Sequence, residues 1–178
     1  MKYDIRPATV ADHEELSSLI NSAYRGDSSR AGWTTEADFL EGQRIDAEML
    51  RIELGQAGHT MLCLRETANG PIIGCVLLRK FRNDNGEGSY LGMLTVKPNL
   101  QDAGLGRALM TEAESFAKNH GAKKIVLRVI HLRDSLMEWY ERQGYKKTGD
   151  TQPFPYGNDR EGLPLRDDLH FVVFEKVL

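Results

Sequence analysis

Residues 89–130 constrain the fold more than any other stretch. Ser89–Val96 is a largely apolar run. Leu105–Asn119 carries Leu105, Leu109, Ala113 and Phe116 at helical spacing and stops at Gly121, and Lys124–Ile130 is a second apolar run. A strand, a helix and a strand in that order predict a right-handed crossover that leaves the two strands parallel. Ahead of it, Thr60–Arg65 and Ile72–Phe81 flank the turn residues Asn69-Gly70-Pro71, and Asn83-Asp84-Asn85-Gly86 leads into Ser89–Val96. These three strands read as an antiparallel meander. The fold class is therefore α/β (α+β by some schemes). We expect a mixed, twisted, mostly antiparallel sheet of about six to seven strands with helices on both faces.

The flanks fit that frame. Tyr3–Ala8 alternates as a first strand, and from Asp12 the residues Leu16, Leu19, Ile20 and Ala23 form the stripe of a helix that ends near Gly26. Gly26–Thr35 reads as a polar loop holding Trp33. A second helix starts from Asp46 as N-cap, with Ile45, Met49 and Ile52 on one face, and ends at Gly55. After Ile130, a short helix capped by Asp134 or Ser135 runs to Gln143. Strands near Tyr145–Thr148 and His170–Val177 flank a long loop. The 178 residues suit one domain, 1–178.

Charge and composition narrow the function. A net charge of −3 and a pI near 6.0 argue against a nucleic-acid partner. The longest apolar run, Ile72–Leu78, is too short to span a bilayer, and Met1–Pro7 holds no secretion core. We expect no membrane partner and a cytoplasmic location. Cys63 and Cys75 sit in apolar stretches, as small buried hydrophobes do, and the five histidines lack ligand spacing, so no metal is expected.

Chemistry concentrates where Leu94-Thr95-Val96 runs through Lys97-Pro98 into Gln101-Asp102-Ala103-Gly104-Leu105-Gly106-Arg107. Glycines opening a helix let backbone N–H groups approach an anion, and the helix dipole favours negative charge there. A dinucleotide fingerprint would need a small residue where Leu109 stands. A P-loop would need Gly-Lys-Ser/Thr, yet Arg107-Ala108 follows Gly106. The pattern Gln101-x-x-Gly104-x-Gly106 after Val96-x-Pro98 instead resembles the acyl-CoA signature of the GNAT superfamily of N-acetyltransferases. Leu136 to Tyr145, with Trp139-Tyr140 and Gly144-Tyr145, is similar to that family's aromatic-Tyr-x-x-x-Gly-aromatic helix. The opening Ile5-Arg6-Pro7-Ala8-Thr9 with Asp12 also resembles the family's start.

The resemblance implies acetyl-CoA as cosubstrate. Leu94, Thr95 and Val96 would pair with the pantetheine arm, with an N–H there, that of Leu94, polarising the thioester carbonyl. Gln101, Asp102, Ala103, Gly104, Leu105, Gly106 and Arg107 would cradle the pyrophosphate. Many members carry asparagine where Arg133 stands, so Arg133 is a departure within the cofactor set. Tyr140 would be the catalytic acid: amine attack expels a thiolate of pKa near ~8.5, which a phenol of pKa ~10 can protonate. From periodicity alone, Tyr140 reads as an aromatic core residue on the face of Leu136; the resemblance is what turns it toward catalysis. The base is not readable; Glu87, Tyr90 and water are the candidates.

Tyr24 and Trp33, with Tyr90, would face a small-molecule primary amine. The aromatics of Pro153-Phe154-Pro155-Tyr156-Gly157 line the same pocket or merely anchor their loop. Asp150, Asp159, Glu161, Asp167 and Asp168 would make an acidic rim suited to a cationic amine. The other function classes are a protein N-terminal or lysine acetyltransferase and a non-catalytic acyl-CoA-binding regulatory domain. Monomer and homodimer are both compatible with the sequence.

Overall fold

The computed structural model describes residues 3–178, the side chain of Glu161 aside. The elements in chain order are β1 (Asp4–Pro7), α1 (His13–Tyr24), α2 (Gly26–Ser29), β2 (Leu40–Glu41), α3 (Ala47–Leu54), β3 (His59–Arg65), β4 (Ile72–Asn83), β5 (Gly86–Val96), α4 (Leu105–Asn119), β6 (Lys124–Ile130), α5 (Asp134–Arg142), β7 (Lys146–Pro153), β8 (Leu163–Pro164) and β9 (His170–Val177). Seven strands form one sheet in the order β1-β3-β4-β5-β6-β9-β7. Every pair is antiparallel except β5–β6, which the α4 crossover makes parallel.

Both faces of the sheet are covered, which explains why β3 and β4 are apolar at consecutive positions rather than alternate ones. Met61, Cys63, Cys75 and Leu77 pack with Leu16, Ile20 and Ala23 of α1. Leu62, Leu64, Val76 and Leu78 point the other way, into Leu109, Met110 and Ala113 of α4. Both cysteines are buried and free.

Four local readings change. On α3 the buried residue is Leu50, whereas Ile52 is 55% exposed. Asp46 does cap that helix, accepting from the Met49 N–H at 2.8 Å. The N-cap of α5 is Arg133, not Asp134 or Ser135, and no side chain caps it. The Gly26–Thr35 segment contains the helical turn α2. Finally, β7 runs on to Pro153, and β2 pairs with β8 in a separate two-stranded sheet, so the long loop is partly ordered by pairing.

Candidate active site

The site begins as a gap in the sheet. β5 and β6 pair only at Ser89–Ile125 and Tyr90–Val126, and beyond those residues they diverge. On its other edge β5 stays with β4, but Cys75 faces Thr95 while Leu77 faces Gly92, so β5 carries a bulge over Met93 and Leu94. Met93 takes a left-handed φ of 48°, and its carbonyl accepts from the Thr95 hydroxyl at 2.9 Å. Leu94 has no cross-strand partner in either neighbour. Its carbonyl accepts from the Tyr24 hydroxyl at 2.5 Å.

A cleft of about 370 Å³ opens there. Leu94, Val96, Gln101, Asp102, Gly104, Gly106 and Arg107 line it, as do Trp33, Arg133, Trp139 and Tyr140. Gly104, the N-cap of α4, has φ of 80°, and a Cβ built on it would meet no protein atom within 4 Å. Its requirement is conformational, and the space above it is open. The first N–H groups of α4 have no intrahelical acceptors and remain available to an anion. Thr95 and Leu105 are buried and do not line the cleft. Ala103 is exposed and does not line it.

The Gln101 side chain is neither solvated nor free. It donates to Thr34 Oγ1 at 2.8 Å and to the Val96 carbonyl at 3.1 Å, and it accepts from the Trp33 N–H at 2.8 Å. The loop after α2 is thereby stitched to the turn before α4, and the Trp33 ring lies 6.3 Å from that of Trp139. Arg107 stays exposed.

Arg133 is committed elsewhere than to an open anion site. It donates to Glu36 Oε1 at 2.9 Å and to the Thr34 carbonyl at 2.6 Å, with its guanidinium 5.7 Å from the Tyr24 ring centre. Arg25 donates to the other Glu36 oxygen at 2.6 Å. All three side chains are at least nine-tenths buried. Burial alone would raise the Glu36 carboxyl, but Arg133, Arg25 and Arg44 overrule it and hold it ionised, below the usual carboxylate range. Nothing in the sequence singles out Glu36, Arg25 or Arg44: each sits in or beside a polar segment and reads like solvated surface.

Tyr140 borders both the cleft and a smaller cavity of about 70 Å³, which also reaches Tyr90, Leu94 and Phe154. Its ring packs edge-on to Trp139 and Tyr145, at 5.1 and 5.8 Å, so it belongs to the core as well. Its hydroxyl bonds to no described residue. Burial pushes that phenol far above its ordinary value, and burial likewise takes Tyr24 up to about 12. Both stay protonated at neutral pH.

Other expectations resolve by position. Glu87 stands at the opposite end of β5 from Leu94, 3.0 Å from Arg82. Tyr90 lines the smaller cavity with Arg79 over its ring. Phe154 is buried beside Phe171, and Tyr156 donates to the Arg166 carbonyl, so these loop aromatics chiefly anchor their loop. Of the anticipated acidic rim, Asp150, Asp159, Asp167 and Asp168 line neither cavity, and Asp168 pairs with Arg166; the Glu161 side chain lies outside the described residues. Among the described residues no cluster could hold a metal ion, and no helix is long and apolar enough to cross a membrane.

Residues 14–145 match the family model described as Acetyltransferase (GNAT) family. No curated protein matches the sequence. Solved structures do resemble it. An N-acetyltransferase from Staphylococcus aureus Mu50 has a TM-score of 0.71 at 12% identity, covering 99% of this chain and 98% of that one. A ribosomal-protein-alanine N-acetyltransferase from Brucella melitensis has 0.71 at 20% identity, covering 98% and 99%. The protein yncA from Salmonella typhimurium, solved with acetyl-CoA, has 0.69 at 20% identity, covering 99% and 94%. At these identities the likeness speaks for the fold.

Proposed function

The chain belongs to the GNAT acetyltransferase family, and on that premise we propose that it is an N-acetyltransferase moving the acetyl group of acetyl-CoA to the primary amine of a small-molecule acceptor by direct attack. The observation that carries this reading is the meeting of two cavities at Leu94 and Tyr140. One is a cleft of about 370 Å³, and the other is small, about 70 Å³.

The residues present fit the cosubstrate. The strand edge at Leu94 lacks a partner, the space over Gly104 is open, and Arg107 and Arg142 line the cleft as cations for a polyanion. When bound, acetyl-CoA supplies an activated thioester. The Leu94 N–H then polarises the carbonyl as charge builds on its oxygen. The first turn of α4 holds the pyrophosphate. Tyr140, which burial keeps protonated and which bonds to no described residue, gives its proton to the departing sulfur, while the attacking amine loses its own to solvent. Tyr24 fixes the bulge through the Leu94 carbonyl, so its part is to position the strand.

Titration calorimetry with acetyl-CoA, followed by thiol-release assays on an amine panel, tests the reading. Saturable binding and turnover with at least one small amine are expected. No binding at millimolar acetyl-CoA overturns it.

A further inference from the structure

Guanidinium groups crowd the smaller cavity. Arg25, Arg44, Arg128 and Arg133 line it with one described carboxylate, Glu36. Arg25 and Arg133 are bound to Glu36. Arg128 lies 4.1 Å over the Phe171 ring and reaches Gln152. Arg44 differs. Its backbone is fixed, because its N–H donates to Asn21 Oδ1 at 2.6 Å and the Asn21 amide donates to the Ile45 carbonyl at 2.7 Å. Yet its half-buried guanidinium makes no hydrogen bond or ion pair with any described residue. It stands close enough to Glu36 and Tyr24 to act on the charge of both. Glu36 is already shared by Arg133 and Arg25, so the guanidiniums around it outnumber the one described carboxylate.

A half-buried arginine that borders a small cavity and has no side-chain partner among the described residues suits an anion, and carboxylate matches its fork. We propose that Arg44 receives the carboxylate of the acceptor, and that the acceptor is a free α-amino acid rather than a simple amine. This rests on the acetyltransferase reading of the same site. Size agrees: at about 70 Å³ the cavity is small beside the 370 Å³ cleft, as an amino-acid-sized acceptor requires. Charge agrees too. A bare ammonium would meet Arg44 unshielded, whereas a zwitterion brings its own anion. Once the carboxylate is held, nearby guanidiniums favour the neutral amine over the ammonium, and the neutral amine is the form that attacks.

The test is thiol release from acetyl-CoA by the full chain, with free α-amino acids, their primary amides and the matching decarboxylated amines as acceptors. Arg44→Gln and Arg44→Lys run beside the unaltered protein. The best amino acid is expected to exceed its own amide in kcat/KM by about 10–10³-fold. Arg44→Gln should raise KM for the acid much more than for the amide and shrink that ratio to near unity, while acetyl-CoA affinity stays within about twofold. Arg44→Lys should restore part of the ratio. The proposal is overturned if amides or decarboxylated amines serve as well as the acids, or if Arg44→Gln lowers acid and amide equally. It is also overturned if the protein binds acetyl-CoA but turns over no amino acid. Failure to bind acetyl-CoA would instead strike the acetyltransferase reading itself.

Discussion

Glu36 shows how much of this site rests on single buried charges. Its carboxylate ties Arg25, beside the end of α1, to Arg133, at the start of α5, while its backbone N–H donates to the Tyr24 carbonyl at 3.0 Å. Removing one member of a buried ion set leaves uncompensated charge and costs about 3–5 kcal/mol. Glu36→Ala should therefore lower Tm by on the order of 10 °C in a chain of this length, measured by calorimetry. A shift within a degree or two would mean that water replaces the carboxylate without loss. At this scale the sequence was only half legible. Tyr140 and the Gln101–Arg107 turn stood out because their motifs resemble those of a known family. Glu36 and Arg44 did not, because an isolated charge in a polar loop carries no periodic signal. Arg133 was noticed as a departure, but its actual partners lie on a loop distant in sequence, which no local pattern reveals.

Among the elements, the turn into α4 carries the cofactor reading. Gly104 holds φ of 80° with no protein atom near its Cβ position. A valine there strains the backbone by about 1–2 kcal/mol and also puts its side chain into the open space above the turn. Gly104→Val should thus cost about 2–8 °C in Tm and raise KM for acetyl-CoA at least ~10-fold. Unchanged KM with lowered Tm would assign the glycine to folding alone. Element boundaries were mostly readable: α4, β6 and β9 begin and end where their patterns do, because glycine, lysine and apolar spacing all agree there. The face of α3 was not. Over eight residues several stripes are acceptable: Ile45 and Met49 do pack on the core as expected, but Leu50 and Leu54 complete that face and Ile52 is left exposed. The β2–β8 pair was invisible for a similar reason: a two-residue strand is too short to show alternation.

Across the whole molecule, two cores flank the sheet, and the two cavities meet at Leu94 and Tyr140, beyond the point where β5 and β6 part. The charged groups joining the elements give the protein a definite acid response. Burial would raise the Asp12 carboxyl, but hydrogen bonds from Thr9 and the Arg65 guanidinium hold it below its ordinary value, and Glu36 is held down by its arginines. Groups depressed in the native state contribute stability that is complete above the unfolded carboxylate value near ~4 and is lost as pH falls below it. Tm should change little through neutral pH on their account and decline from about pH 4 downward. Asp12→Asn combined with Glu36→Gln should lower the neutral plateau and flatten that decline, and an unaltered slope would exclude these two groups as its source. The topology itself was legible, since the strand–helix–strand step and the turns before it leave few ways to pair. The measurement that reaches the functional claim most directly is kcat for acetyl transfer in Tyr140→Phe, set beside its acetyl-CoA Kd from calorimetry. A fall in kcat of ~10²–10⁴-fold with Kd within about twofold and an intact fold is expected of a proton donor to sulfur. Full turnover in the folded variant would contradict it.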